Sequence, residues 1–308
     1  MIVLGRAEVA ALLDADALVE AVATALVDLS AGRASVPQRI AASAPAGLLG
    51  AMVAYLPSLD VLAAKLVAVF PGNVGLPSHQ AIVAVFDPRT GAPVALLDGE
   101  EITAQRTAAA SAIATRLLAR ADAQVLAIVG TGVQAASHAR YVAPVREFRT
   151  LLVAGRDPAK ARRLAGEVGG RATSIEEAVR SADVICATTH ARDPVIRRDW
   201  LRPGTHLNSV GFNPQGSELD EVGGALVAVE SRSSALAPPP AGANELRGLA
   251  PADAVELGEL LSGSRAGRTS AAQVTIYKSV GVAAEDAAAA ALVMRRAAQR
   301  GAGRPVDL

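Results

Sequence analysis

The stretch Gln124-Val-Leu-Ala-Ile-Val-Gly130-Thr-Gly-Val-Gln-Ala135 decides the fold. Val125–Val129 is apolar throughout with no polar alternation, the pattern of a strand buried on both faces of a parallel sheet. Gly130-Thr131-Gly132-Val133-Gln134-Ala135 follows at once, and a helix opens near Gln134. A Gly-x-Gly-x-x-Ala turn placed this way is a dinucleotide cradle. Gly130 permits the tight turn, Gly132 lets the backbone approach a pyrophosphate, and Ala135 lets the helix pack closely on the strand. The helix start offers free N–H groups and partial positive charge to the phosphates. Standing alone, the motif also fits an ordinary strand–helix turn. The strand before it, the helix after it and a βαβ unit of about 30 residues around it favour the nucleotide.

Downstream the same alternation continues. Thr150–Ala154, Ala182–Ala187, His206–Val210 and Ala225–Val229 read as short strands, and Asp157–Val168 and Ile175–Ser181 as helices. This predicts an α/β, doubly wound parallel sheet (a Rossmann domain) over residues 119–281. The strand Leu151-Leu-Val-Ala-Gly155-Arg156-Asp157-Pro158 bears on the cofactor. A carboxylate at its end would bind the ribose 2′-OH of NAD, whereas an arginine suits the 2′-phosphate of NADP. The acidic position holds Gly155 and the next holds Arg156, while Asp157 reads as the cap of a helix with Pro158 in its first turn. NADP(H) is therefore expected to be preferred, with NAD(H) possible. Thr188, Thr189 and Asn208-Ser209-Val210-Gly211 lie at the carboxyl ends of later strands, where ligands of open α/β sheets bind.

Upstream of residue 119 the text changes. Val9–Val27 is helical in period, with Asp14 or Asp16 as cap and Gly32 as stop. Leu48–Ala54, Val61–Phe70 and Ala81–Phe86 read as strands, and Asp87-Pro-Arg-Thr-Gly91 turns into Pro93–Leu97 as a hairpin. Alanine-rich helices follow from about Glu101 to Ala121 and over Ala283–Arg300, the latter closed by Gly301. Pro238-Pro-Pro240-Ala-Gly-Ala reads as a short ordered loop.

Composition narrows the function. The 308 residues carry 30 Lys+Arg against 30 Asp+Glu, which removes the basic footprint of a nucleic-acid binder or a polybasic membrane module. With 51% hydrophobic residues and only 3% aromatics, Ala, Val and Leu fill the core. Cys186, the one cysteine, forms no internal disulfide and reads as an inert core residue, which favours a reducing compartment. Asp14 and Asp16 come too early for a signal peptide, and no run of about 20 uncharged apolar residues occurs. A cytoplasmic protein is expected. The four histidines (His79, His138, His190, His206) show no metal-ligand spacing.

Three cations stand where apolar residues belong. In Val61–Phe70, Lys65 shares a face with Val61, Ala63, Val67 and Val69, while the other face (Leu62, Ala64, Leu66, Ala68, Phe70) is wholly apolar, so neither side reads as solvent-exposed. A lysine buried there requires an anion or a lowered pKa; the alternative is an edge lysine reaching water. Arg106, in Thr103-Ala-Gln-Arg106-Thr107, reads as lying near a helix start, where cation and helix dipole are both positive unless an anion sits between them. Arg39, in Val36-Pro-Gln-Arg39, is a third. With no equally placed acidic cluster in this half, these residues imply a small anionic ligand such as an amino-acid or imino-acid carboxylate.

The chain resembles the ornithine cyclodeaminase/mu-crystallin family. The resemblance rests on Val36-Pro-Gln-Arg39, Met52-Val-Ala-Tyr55, Ala64-Lys65-Leu-Val, Phe70-Pro-Gly-Asn73, Leu76-Pro-Ser-His-Gln80-Ala, Phe86-Asp-Pro-Arg-Thr-Gly-Ala-Pro93, Thr103-Ala-Gln-Arg106-Thr107, Gly130-Thr-Gly-Val-Gln134, Asn208-Ser-Val-Gly211 and Ser279-Val-Gly281. It implies a homodimer. Residues 1–118, completed by 282–308, would form an α+β substrate-binding and dimerisation domain. Arg39, Lys65 and Arg106 would grip a substrate carboxylate beside the nicotinamide, with Gln80 and Thr107 joining Gly130, Thr131, Gly132, Val133, Gln134, Arg156, Thr188, Ser209, Val210 and Gly211 as cofactor contacts. Where members that deaminate ornithine carry acids, this chain carries Met52 and, in a loop one residue shorter, Asn213. It thus looks like the reductase branch, in which Lys65 either completes the grip or protonates the imine nitrogen. The alternatives are an ornithine cyclodeaminase drawing on Glu218 or Asp220 (otherwise solvated loop residues) and a non-catalytic NADPH-dependent carrier. His79 stands beside the expected cleft and reads more simply as a structural hydrogen-bonding residue.

Overall fold

A computed structural model describes residues 1–213, 215–238 and 241–307. The chain divides into two compact units, one formed by Met1–Arg106 together with the segment from Gly281 onward, the other by Thr107–Val280. Pro239 and Pro240 of the proline patch lie outside the described residues.

The first unit contains strand β1 (Ile2–Leu4), helices α1 (Arg6–Leu12) and α2 (Ala15–Ser30), and strands β2 (Ile40–Ala44), β3 (Gly47–Leu56), β4 (Val61–Val69), β5 (His79–Phe86) and β6 (Pro93–Asp98). Asp14 caps α2 by accepting from the Ala17 N–H at 3.0 Å. Helix α3 (Gly99–Leu118) then carries the chain across the division between Arg106 and Thr107. The second unit follows as β7 (Val125–Val129), α4 (Val133–Val142), β8 (Thr150–Ala154), α5 (Pro158–Val168), β9 (Arg171–Thr173), α6 (Ile175–Ser181), β10 (Val184–Ala187), β11 (His206–Ser209), β12 (Leu226–Val229), α7 (Arg232–Ala235), β13 (Ala254–Glu256), α8 (Leu257–Ser262) and β14 (Thr275–Lys278). The chain re-enters the first unit as α9 (Ala283–Arg300), stopped by left-handed Gly301, and ends in β15 (Arg304–Pro305).

The first sheet has the order β15-β1-β6-β5-β4-β3-β2, antiparallel except for β1 beside β6. Its register places Met52 opposite Lys65 and Lys65 opposite Val83. The face carrying Lys65, Met52 and Val83 is buried, and α9 packs on β3 and β4. The opposite face is not. Ile40, Leu66 and Ile82 form one apolar row across the strands, flanked by Leu49 and Val53. Ile40 is 72% exposed and Leu66 37%. The expectation that neither face of this strand meets solvent is thus corrected: among the described residues, only the lysine face has a cover.

The second sheet is parallel throughout, ordered β13-β12-β14-β11-β10-β7-β8-β9. The order reverses between β7 and β10, the switch point where a crevice opens at the strands' carboxyl ends. Helices pack on it through small apolar residues such as Ala135, Ala161 and Ala178. β14, absent from the sequence reading, occupies the sheet interior; it has only four residues and ends in a lysine, so no apolar run announces it.

Candidate active site

Two buried cations and two buried carboxylates of the first unit meet beneath α9. Lys65 Nζ lies 2.7 Å from Asp286 Oδ2 and 2.8 Å from Oδ1, and 3.4 Å from the Thr103 hydroxyl. Arg106 donates from Nε to Asp286 Oδ1 at 3.1 Å and from Nη1 to Glu285 Oε2 at 2.6 Å. Lys65 is 3% exposed and Asp286 1%. Glu285 and Asp286 stand in the first turn of α9, where the helix dipole favours anions. The expectation that no equally placed acidic cluster accompanies these cations is therefore corrected. The acids enter with the C-terminal helix, 221 positions from Lys65.

Two further corrections concern the arginines. Arg106 sits about two turns into α3, not at its start, and its anionic partners within the chain come from α9. Arg39 is half-buried, and its Nη2 donates to the Gly281 carbonyl at 2.7 Å. Gly281 also adopts φ +68°, and a Cβ there would stand 2.8 Å from both terminal nitrogens of Arg106. One glycine thus contacts two of the three cations, a role invisible in the bare Ser279-Val-Gly281 text.

Burial lowers the Lys65 pKa, Asp286 raises it, and Arg106 and Arg39 lower it, leaving it at about 8. Burial works against the Asp286 carboxylate, yet the charges of Lys65 and Arg106 hold it below the usual carboxylate range. His79 stands on the Lys65 side of β5; burial first, then the cations Lys65 and Arg106, push it down to about 4. Its neighbour Gln80, by strand alternation, belongs to the opposite face, with Ala68 and Ile82. Met52 is buried directly beside Lys65, so β3 brings no carboxylate to it.

In the second unit the nucleotide turn has the expected geometry. Gly130 has φ +134°, and a Cβ there would fall 2.2 Å from the Thr188 hydroxyl across the switch point. Gly132 caps α4 with no side-chain hydrogen bond, and nothing lies within 4 Å of where its Cβ would stand. This open helix start fits a pyrophosphate, and Val133 and Gln134 supply its first N–H groups. A Cβ on Gly155 would meet the Thr131 methyl at 2.7 Å, which explains why no carboxylate occupies that strand end. Arg156 is exposed, and Asp157 caps α5 by accepting from the Ala159 and Lys160 N–H groups. Thr107 is buried in α3. Val210 N donates to the Ala187 carbonyl at 3.0 Å, tying two strand ends together.

Below those ends lies a network that sequence reasoning missed. The Glu218 carboxylate is buried and accepts from the Thr189 N–H and hydroxyl at 2.5 and 2.7 Å, from the Ser209 hydroxyl at 2.9 Å and from the Gly211 N–H at 2.8 Å. Lys278 donates to the Gly211 carbonyl at 2.7 Å and to Glu245 at 3.1 Å. Glu218 is therefore neither a solvated loop residue nor a carboxylate at liberty for acid–base work. Asp220 is exposed and accepts from the Arg198 N–H at 2.8 Å. Asn213 is half-buried and accepts from the Gln215 N–H at 3.0 Å within its own loop. Glu230 accepts from the Ser279 hydroxyl at 2.6 Å. Burial pushes the Cys186 thiol up to about 12, consistent with an inert core residue. No described helix is long and apolar enough to cross a membrane.

Three relatives are similar over most or all of the chain. Ketimine reductase mu-crystallin of Mus musculus is 41% identical over 256 residues, 80% of each chain. Delta(1)-pyrroline-2-carboxylate reductase of Bacillus cereus is 35% identical over 331 aligned positions, covering 100% of each. The structure of Thermococcus litoralis Delta(1)-pyrroline-2-carboxylate reductase, in complex with NADH and L-proline, superposes with a TM-score of 0.93 at 34% identity, covering 99% of this chain and 100% of that one. The family model for ornithine cyclodeaminase/mu-crystallin matches residues 1–301. With that span matched and the cation–carboxylate cluster and nucleotide turn both in place, the chain belongs to the ornithine cyclodeaminase/mu-crystallin family.

Proposed function

We propose that this protein is an NAD(P)H-dependent oxidoreductase that reduces a C=N bond next to a carboxylate, or oxidises the corresponding small amino acid. The observation that carries the reading is Lys65, a buried lysine whose pKa of about 8 lets it hold or release a proton near neutrality. Relatives named for pyrroline-2-carboxylate, ketimine and iminosuccinate reduction support the substrate class. Arg39 and Arg106 fix the substrate carboxylate, Met52 walls the pocket, and Lys65 protonates the imine nitrogen. The bound dihydronicotinamide supplies the hydride. Gly130, Thr131, Gly132, Val133, Gln134, Thr188, Ser209, Val210 and Gly211 hold the dinucleotide, and Arg156 takes the NADP 2′-phosphate; Thr107 completes the cofactor contacts, while Gln80, on the sheet face away from Lys65, does not join them. Met52 and Asn213 are not acids and Glu218 is fully engaged, which favours reduction over internal cyclisation of a diamino acid.

The open apolar row of the first sheet supports a homodimer built through Ile40, Leu49, Val53, Leu66 and Ile82. A screen of NADPH and NADH oxidation tests the function. It pairs pyruvate, glyoxylate, oxaloacetate and phenylpyruvate with ammonia or methylamine, and adds cyclic imines such as pyrroline-2-carboxylate. Turnover with any imine supports the reading. Conversion of L-ornithine to proline and ammonia without net change in NAD(P)H, or tight NADPH binding with no turnover, would replace it with the cyclodeaminase or the carrier.

A further inference from the structure

We propose that Asp286 is a positioning residue for this reaction: its carboxylate aims the Lys65 ammonium and sets the pH at which that ammonium gives up its proton. The proposal rests on the reductase reading above. Nζ donates a hydrogen bond to Asp286 Oδ1 at 2.8 Å and stands 2.7 Å from Oδ2, so the two charges are in direct contact where both side chains are buried. Arg106 Nε takes the same Oδ1 at 3.1 Å, and the dipole of α9 favours the anion, so the carboxylate itself is fixed from two sides. The other groups facing Lys65 are Thr103 and Arg106 from α3, Arg39 ahead of β2 and His79 from β5, whose imidazole is held neutral. Asp286 is thus the anion that offsets the neighbouring cations at Nζ.

Residue choice points the same way. The chain contains three lysines, Lys65, Lys160 and Lys278, against a large excess of arginine. An arginine under α9 would keep its proton at all working pH values. Lysine is the cation that can release one. In reduction, the imine carbon accepts hydride, the π pair of C=N moves to nitrogen, and that nitrogen takes a proton as the Lys65 N–H bond breaks. Lys65 is left neutral against an Asp286 that stays ionised, and a solvent proton restores the ammonium.

Removing the Asp286 charge takes away an opposite charge within hydrogen-bond distance, so the Lys65 pKa drops by about 1–3 units. The test compares pH–rate profiles of imine reduction for wild type and Asp286→Asn at saturating NADPH, with NADPH affinity as a check on the second unit. The expected result is an alkaline limb that moves from near 8 down by at least one unit with nucleotide affinity kept. The oxidative direction, which needs neutral Lys65, gains relative to reduction at neutral pH. A uniform loss at every pH, with the limb in place, overturns the proposal and assigns Asp286 a structural role. Carbon-13 lysine labelling gives an independent readout, because only three lysines contribute. In the wild type the Lys65 Cε resonance should titrate near 8, and in Asp286→Asn clearly lower. A Lys65 resonance still charged at pH 10 in the wild type, or unmoved in the variant, overturns it even if the variant folds poorly for assay. Absence of imine turnover by the wild type with a normal Lys65 titration shift would sink the reductase reading and leave the coupling standing.

Discussion

Replacing Arg106 by Met probes the buried cluster as a unit. The substitution keeps an unbranched side chain as far as the Nε position and removes the donors 2.6 Å from Glu285 and 3.1 Å from Asp286. Surface ion pairs lose little on such treatment, but these groups are among the most buried in the chain. Breaking one side of a buried pair costs about 3–5 kcal/mol, because the remaining carboxylate keeps its desolvation penalty and loses its compensating charge. At about 2–4 °C per kcal/mol for a domain of this size, the first unit's melting temperature should fall by roughly 6–20 °C. Adding Glu285→Gln removes the stranded charge, so the double variant should recover about 1–3 kcal/mol relative to the sum of the single changes. Thermal melts by circular dichroism of the four proteins complete the cycle. If Arg106→Met melts within 2 °C of wild type, or the double variant is as unstable as that sum, the charge-compensation argument is wrong.

Three other outcomes are expected. Gly130→Ala should weaken nucleotide binding at least tenfold in a fluorescence titration, since its Cβ meets the Thr188 hydroxyl at 2.2 Å in a backbone region suited to glycine; Thr188→Ala should restore part of the loss. Exchange of Arg156 for Asp should move the ratio of kcat/KM values from NADPH towards NADH, and an unchanged ratio removes the 2′-phosphate assignment. Leu66→Glu on the open sheet face should convert a dimer to monomer by sedimentation while leaving NADPH affinity within about twofold; a species of unchanged mass would refute that interface.

What could be read from the sequence was local. The strand–turn–helix at Val125–Ala135, the cap residues Asp14 and Asp157 and the stop at Gly301 each depend on neighbours a few positions away, so pattern and turn chemistry suffice. Lys65 stood out because strand alternation placed a charge on an apolar face, and the structure buries it there. The partners were hidden because they are chosen by tertiary packing. Asp286 reaches Lys65 only once α9 folds back onto β3 and β4. A signal was available: Glu285-Asp286 is an acidic pair in the otherwise alanine-rich Ala283–Ala291, with no solvated face to explain it. Glu218 and Lys278 were hidden for the same reason. Glu218 joins Thr189, Ser209 and Gly211 from separate strand ends, and no spacing along the chain marks that convergence.

The most direct test of the account is Lys65→Ala assayed on an imine that the wild type reduces, with nucleotide affinity measured in parallel. Loss of a positioned proton donor costs about 10²–10⁴-fold. The variant should therefore bind NADPH normally and turn over at least a hundredfold more slowly. Turnover within a few-fold of wild type would show that the buried lysine is a packing feature and that the chemistry lies elsewhere.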